Sequence, residues 1–347
     1  MSESFSDLPG LSFSASENPW ENFQQLAARY PSFRLISPTV GGNTSLVEFE
    51  LLTGLTNALL PTGAIPYDHY VRHPVPSLAS ILRGRGYRTI ALHPFYPWFW
   101  SRNVAYENLG FEHFLSLDDF EGAELRGHFI SDKSLVDKII EVIETEDAPL
   151  LIHAVSMQNH MPYDYERYTE DTLLVEADLP DRLRQALSTY LTGVRDADRQ
   201  LGRLLQYLDG RPEPTICLFF GDHQSVLEAE LAPYRSEETP GGIAAHYRMA
   251  EVPGLLWANK PGLLDTDDIP ESLSPCHLPA ILLHQMGIGL PGHLVHMLRG
   301  VQIYPVIHRE FVRDGSGALI NLKLLYSDPW IQSLEALQYN LLFDTGH

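Results

Sequence analysis

The chain is poor in cysteine, in basic residues and in long apolar runs. Two cysteines among 347 residues, Cys217 and Cys276, cannot build a disulfide framework. Lys and Arg number 24 against 45 Asp and Glu, a formal net charge of −21. That balance argues against nucleic acid as a partner, because phosphate-backbone binding runs on Lys and Arg. It also disfavours attraction to anionic lipid, since the one basic cluster, Arg83 to Arg88, is short. No stretch approaches the length of a transmembrane helix, and no signal peptide is visible. So few cysteines suit either the cytoplasm or a cell surface that does without disulfides.

What is present is globular. Apolar residues make up 44% and charged residues 20%, and 347 residues form one large domain or two ordinary ones. Apolar runs at Arg88–His93, Ala148–Val155, Thr215–Phe220 and Val252–Ala258 read as strands. Amphipathic stretches at Pro76–Arg83, Asp132–Glu144, Leu179–Leu208 and Cys276–Met286 read as helices between them. Alternation of this kind predicts an α/β fold with a mostly parallel central sheet flanked by helices. Cys217, inside the third strand, reads as a small core residue. From about residue 301 to 347 the pattern changes, with a Gly-rich turn at Asp314–Gly317, and predicts a small C-terminal β/α appendage on a main domain of residues 1–300. Ser236–Ala245 reads as a mobile surface loop.

Three strand ends finish in groups able to bind metal or phosphate: His93, Asn159-His160 and Asp222-His223. Ligands of open α/β sheets sit beyond the carboxyl ends of strands. Asp222 and His223 offer an oxygen and a nitrogen ligand to a divalent metal; alternatively they are a turn with an Asp cap and an incidental His. Met1–Phe5 reads as the exit of a strand whose apolar body lies upstream, which would make Glu3 a fourth strand-end ligand; a polar terminus is the other reading. Gly41-Gly42-Asn43-Thr44-Ser45 leads into helically spaced Leu46, Val47, Phe49 and Leu52. Thr44 is there either an N-cap supported by Glu48 or a nucleophile at a helix start, where backbone N–H groups stabilise phosphate; both readings can hold at once. Such a hydroxyl needs a base or metal to activate it. Asp132 reads as a helix cap. His246, His277, His284, His293, His296 and His308 have no motif around them and stay outside the site.

Glu3-Ser4-Phe5, Gly42–Phe49, Phe99-Trp100-Ser101-Arg102, Gln158-Asn159-His160 and Gly221-Asp222-His223-Gln224 occur in the order seen in lipoteichoic acid synthase-like phosphoglycerol transferases. The chain resembles that group of the sulfatase and alkaline phosphatase superfamily over almost its whole length, including Leu337–Asn340. The resemblance implies transfer of glycerol phosphate from phosphatidylglycerol to a hydroxyl acceptor, a glycan or glycerol-phosphate polymer, through a threonine-linked intermediate. It implies Thr44 as nucleophile and Glu3, Thr44, Asp222 and His223 as ligands of one Mn²⁺ or Mg²⁺. It implies His93, Trp100, Arg102 and His160 around the glycerophosphate, with Arg102 pairing phosphate oxygens and His160 protonating the leaving alkoxide or orienting an oxygen. It further implies work at the outer face of a bacterial membrane, with membrane helices and a buried central strand encoded upstream, so that this sequence reads as a fragment or miscalled start with an empty sheet position. A phosphodiesterase using the same intermediate and a non-catalytic surface domain are the alternatives. Thr44 lacks the Cys/Ser-x-Pro-x-Arg context of a formylglycine nucleophile, which argues against sulfate ester hydrolysis.

Overall fold

The computed structural model describes residues 1–164, 166–235, 241–265 and 269–343. Strand β1 (Ser32–Ile36) precedes helix α1 (Thr44–Thr53) and the short α2 (Leu78–Arg83). Then come β2 (Arg88–Leu92), α3 (Arg102–Asn108), β3 (His113–Leu115), α4 (Asp132–Thr145) and β4 (Leu150–Ala154). The long α5 (Asp181–Asp209) leads to β5 (Ile216–Phe220), α6 (Ile243–Ala250), β6 (Glu251–Ala258) and β7 (Ser272–Leu273). Helices α7 (Leu278–Gln285) and α8 (Gly292–Ile303), strands β8 (Val306–Ile307), β9 (Val312–Arg313) and β10 (Leu319–Ile320), and helix α9 (Pro329–Phe343) complete the chain.

The expected strands and helices are present within a few residues of their expected limits. One sheet has the order β7-β1-β6-β5 and a second the order β3-β2-β4. All pairs are parallel except those of β6, which runs antiparallel to both β1 and β5. An apolar run reads the same in either direction, so composition could not reveal that reversal.

Met1 and Ser2 join the two sheets. Ser2 N–H donates to Phe220 O and Asp222 N–H to Ser2 O, while the Met1 ammonium donates to Ala154 O and Ser156 N–H to Met1 O. These two residues thus sit parallel to β5 and beside β4, at their carboxyl ends. Among the described residues no strand lies between the rest of β4 and β5. Leu150, Leu151, Ile152, Ile216, Cys217, Leu218 and Phe219 are half-buried, and Cys217, expected in the core, packs against its Leu201, Leu205, Leu208, Leu255 and Trp257 cluster.

Amphipathic α5 lays Leu183, Leu187, Leu191, Val194, Leu201, Leu205 and Leu208 into the core beneath the sheets. Among the described residues no helix is long and apolar enough to cross a membrane. Strands β8 to β10 form an antiparallel meander whose Asp314–Gly317 turn is closed by Asp314 Oδ1, which accepts from Ser316 N–H, Ser316 Oγ–H and Ala318 N–H. Val312, Leu322, Ile331 and Leu334 of this C-terminal segment share one apolar cluster with Leu35, Val47 and Leu51. Of the expected loop Ser236–Ala245, residues 236–240 lie outside the described residues, and Ile243 to Ala245 begin α6 instead.

Candidate functional site

The site is built where β5 ends. Gly221 follows the strand in close contact with Phe5, and a Cβ there would lie 1.7 Å from the Phe5 carbonyl oxygen, so no larger residue fits. Asp222 and His223 come next, both buried. Asp222 Oδ1 accepts from Ser4 N–H at 2.7 Å and from His223 N–H at 2.9 Å. This arrangement presents the other oxygen, Oδ2, to Thr44 Oγ1, which donates to it at 2.9 Å.

Thr44 is not the N-cap. Asn43 caps α1 in the left-handed region (φ 61°), with no side-chain cap bond, and Thr44 is the first helical residue. Gly41 (φ 68°), Gly42 (φ 143°) and Asn43 form the turn that delivers it, anchored by Gly41 N–H donating to Gln224 O. Among the described residues five non-glycine positions have positive φ; Trp100 is an expected site residue, and Ser4, Asn43 and Ser101 each adjoin one. Strain of this kind persists where the surroundings over-determine it.

Glu3, Asp222 and His223 bring one ligand atom each within 4.8 Å of one another. His223 Nε2 lies 3.3 Å from Asp222 Oδ2 and 3.7 Å from Glu3 Oε1, and it is buried without a hydrogen-bond partner. Its Nδ1 lies 3.0 Å from the Gln224 carbonyl oxygen, the second contact that orients a ligating imidazole. Burial raises the Glu3 pKa and the Asp222 charge adds to that rise. Burial pulls His223 down, but Asp222 and then Glu3 outweigh it and hold its pKa above the ordinary value. Two crowded carboxylates and an orphaned imidazole nitrogen fit a divalent cation, with Thr44 Oγ1 beside them.

One turn into α1 lies a second cluster. Glu48 does not cap the helix. Its Oε1 accepts from Arg102 Nε at 3.0 Å and Nη2 at 2.6 Å, its Oε2 accepts from Tyr106 Oη, and His153 Nε2 lies 3.5 Å from Oε2. Arg102 is 1% exposed and Glu48 is fully buried. Burial opposes the Glu48 charge, yet the Arg102 guanidinium and then His153 outweigh it and hold the carboxyl well below the usual range. Arg102 is therefore already paired to Glu48 within the chain. Its Nε and Nη2 each direct a hydrogen at Glu48, and Nη1 donates to Phe99 O at 3.3 Å.

His93 is buried with Nδ1 3.0 Å from Val155 O and Nε2 unpartnered; burial first, then Arg102, lowers its pKa to about 3. It is a neutral ring with an open nitrogen, suited to a hydroxyl. Trp100 sits half-buried in the strained turn before α3, beside the exposed stacked pair Tyr96 and Trp98. His160 faces Glu3 closely enough to act on it electrostatically, and its Nδ1 lies 2.8 Å from Met161 O. The six excluded histidines stay apart from the three-ligand cluster; His277, for example, has carbonyl oxygens at both ring nitrogens.

Beyond Glu48, sequence reasoning misread Asp132 and missed His153. Ser131, not Asp132, caps α4, accepting from Ser134 N–H, while both Asp132 carboxylate oxygens are buried without partners and burial pushes its pKa up to about 8. Asn159 has an amide with neither atom bonded, packed where Gly193 of α5 leaves room. His153 is a histidine inside an apolar strand, a signal available in the sequence.

A model of the family described as Sulfatase matches residues 1–267. A putative cyclic beta-1,2-glucan modification protein of Rhizobium meliloti is 37% identical over 99% of this chain and 54% of its own length. The chain spans about half the length of the curated relatives it matches. Among solved structures, the Streptococcus pyogenes phosphoglycerol transferase GacH in complex with sn-glycerol-1-phosphate aligns with a TM-score of 0.73 at 20% identity, covering 98% of this chain and 84% of that one. The lipoteichoic acid synthase LtaP of Listeria monocytogenes aligns with a TM-score of 0.69 at 21% identity, over 98% and 88%. The fold is that of the alkaline phosphatase superfamily, and the chain belongs to the sulfatase family.

Proposed function

We propose that this chain is the catalytic part of a phosphoglycerol transferase that moves glycerol phosphate from a phosphatidylglycerol-type lipid to a hydroxyl acceptor on a glycan. The observation that carries the reading is Thr44 Oγ1, at the start of a ten-residue helix, donating at 2.9 Å to Asp222 in the corner shared with Glu3 and His223. A hydroxyl so placed can pass its proton to a carboxylate as it attacks phosphorus. The α1 N-terminus would offer the phosphate backbone N–H groups of its first turn and the positive end of the helix dipole.

Glu3, Asp222 and His223 would hold one divalent metal with Thr44 beside it. That metal supplies charge neutralisation on the phosphodiester and lowers the pKa of the attacking hydroxyl. Thr44 Oγ forms a bond to phosphorus, the bond from phosphorus to the diacylglycerol oxygen breaks, and that oxygen takes a proton, with His160 as its donor. Arg102 meets the phosphate through Nη1, and His93 and Trp100 receive the glycerol. In the second half an acceptor hydroxyl attacks the same phosphorus and Thr44 recovers its proton.

The name of the 37%-identical relative supports a glycan acceptor, and the superfamily's phosphoglycerol transferases support the donor. The exposed Tyr96–Trp98 stack beside Trp100 suits the acyl side of a lipid donor, and we place the working site at the outer face of a bacterial membrane. The test is mass spectrometry of the Mn²⁺-loaded chain incubated with phosphatidylglycerol. A glycerophosphate adduct on Thr44, with diacylglycerol released, is expected, and Thr44→Ala lowers that release by about 10⁴-fold or more. Full release by Thr44→Ala would end the proposal; release of free glycerol phosphate in the presence of a polyol acceptor would make the enzyme a hydrolase.

A further inference from the structure

Behind the metal corner lies a cavity of about 480 Å³ that none of the expected site residues enters. It opens between the start of β6, strand β1 and the β9–β10 turn. Its lining includes Arg34, paired with Asp7 at 2.7 Å, together with Arg248, Arg313, Glu251 and Glu271. Tyr247 adds an aromatic ring and Leu319 an apolar patch.

Gln224 ties the cavity to the site. Its carbonyl accepts from Gly41 N–H, in the turn before Thr44, and lies 3.0 Å from His223 Nδ1, while its side chain lines the cavity. The side chain is 2% exposed and its Nε2 donates to Glu251 O, yet its Oε1 has no partner. A buried amide oxygen left unpaired costs free energy unless a donor reaches it. Gln224 is two residues from Asp222, so the cavity wall begins about 7 Å from a metal-corner backbone position.

We propose that this cavity is the acceptor subsite and that it takes a neutral glycan. The acceptor role rests on the transfer reading above; glycan binding does not. Three arginines and three carboxylates balance in the lining, so it offers no net attraction to a polyanion. Sugar hydroxyls are donors and acceptors at once. Guanidinium forks and carboxylates supply both kinds of partner. Tyr247, held by its hydroxyl to Ser272 Oγ, presents a ring to the C–H face of a sugar. A sugar seated there would send one hydroxyl past Gln224 toward Thr44. Its oxygen bonds to phosphorus, the bond from Thr44 Oγ to phosphorus breaks, and the hydroxyl proton ends on Thr44.

The test uses calorimetry on the full Mn²⁺-loaded chain with a neutral β-gluco-oligosaccharide and, separately, polyglycerol phosphate. Arg313 and Glu271 are suitable probes, because neither side chain has a hydrogen-bond or ion-pair partner among the described residues and neither is fully buried. Arg313→Ala and Glu271→Ala are each expected to weaken oligosaccharide binding about tenfold, with the melting temperature holding the fold constant. Unchanged binding in both variants, no binding by the wild type, or tighter binding of polyglycerol phosphate overturns the subsite. The Thr44 adduct is read in parallel on the wild type with lipid alone. An adduct without oligosaccharide binding sinks the subsite and spares the transfer reading. Binding that the two variants weaken, without an adduct, supports the cavity as a glycan site and sinks transfer.

Discussion

Two buried acidic clusters flank the first turn of α1, and they are built in opposite ways. At Glu48 a carboxylate meets a guanidinium, a phenol and an imidazole, and every charge has an answer within the chain. At Glu3 and Asp222 two carboxylates face an imidazole and a hydroxyl, and their shared burial raises one of them. The first arrangement is complete as protein and serves position, fixing α3 and its Arg102 against α1. The second is incomplete as protein, because its negative charge exceeds what His223 can balance. The difference separates a structural ion pair from a candidate cation site more sharply than burial or residue type does.

The strongest way to break the comparison is to remove the charge at Glu48. Glu48→Gln leaves the Arg102 guanidinium buried without its counter-ion, and a stability loss of about 3–5 kcal/mol is expected in urea unfolding. Adding Arg102→Met should restore much of it, since a buried pair replaced by apolar groups is often near neutral. A Glu48→Gln protein as stable as wild type would show that the cluster is not closed in the way described.

Which of these clusters was legible in the sequence follows from chain distance. Asp222 and His223 are adjacent, so their joint role needed only a strand ending before them. Thr44 stood out through its glycine turn and helix, and its link to Asp222, 178 residues away, came from the order of motifs and not from spacing. Glu48 was misread because a glutamate four residues into a helix resembles a capping partner, while its real partner sits 54 residues on. Antiparallel β6 was invisible for the same reason, since pairing partners are a tertiary property. The Gln224 cavity draws on several separate stretches of chain, none with a motif of its own.

Glu50 sharpens the comparison, because it shares α1 with Glu48 and has neutral donors only. Its Oε1 accepts from Thr56 Oγ1, Asn57 N–H and Asn57 Nδ2, and burial, which outweighs these bonds, pushes its pKa up to about 7. An acid raised in the folded state contributes stability below its unfolded pKa of about 4.3. That contribution is lost as pH rises through about 7. Stability should therefore fall by up to about 3 kcal/mol across this window, and in Glu50→Gln most of that slope should vanish. Identical slopes in urea titrations of the two proteins would rule this out.

The smallest expected effect tests the cation corner itself. Glu3→Gln keeps an oxygen for Ser4 Oγ–H, which donates to Glu3 Oε1 at 2.8 Å, and removes one of two crowded charges. In chelator the variant should be more stable than wild type by about 1 kcal/mol, the opposite sign to Glu48→Gln, because relieving a like-charge contact favours the folded state. Adding Mn²⁺ should then raise the melting temperature of the wild type and leave the variant nearly unmoved, since a ligand stabilises only the state that binds it. A variant that loses stability in chelator, or that gains as much from Mn²⁺ as wild type, would put Glu3 in the same class as Glu48 and erase the distinction between the two corners.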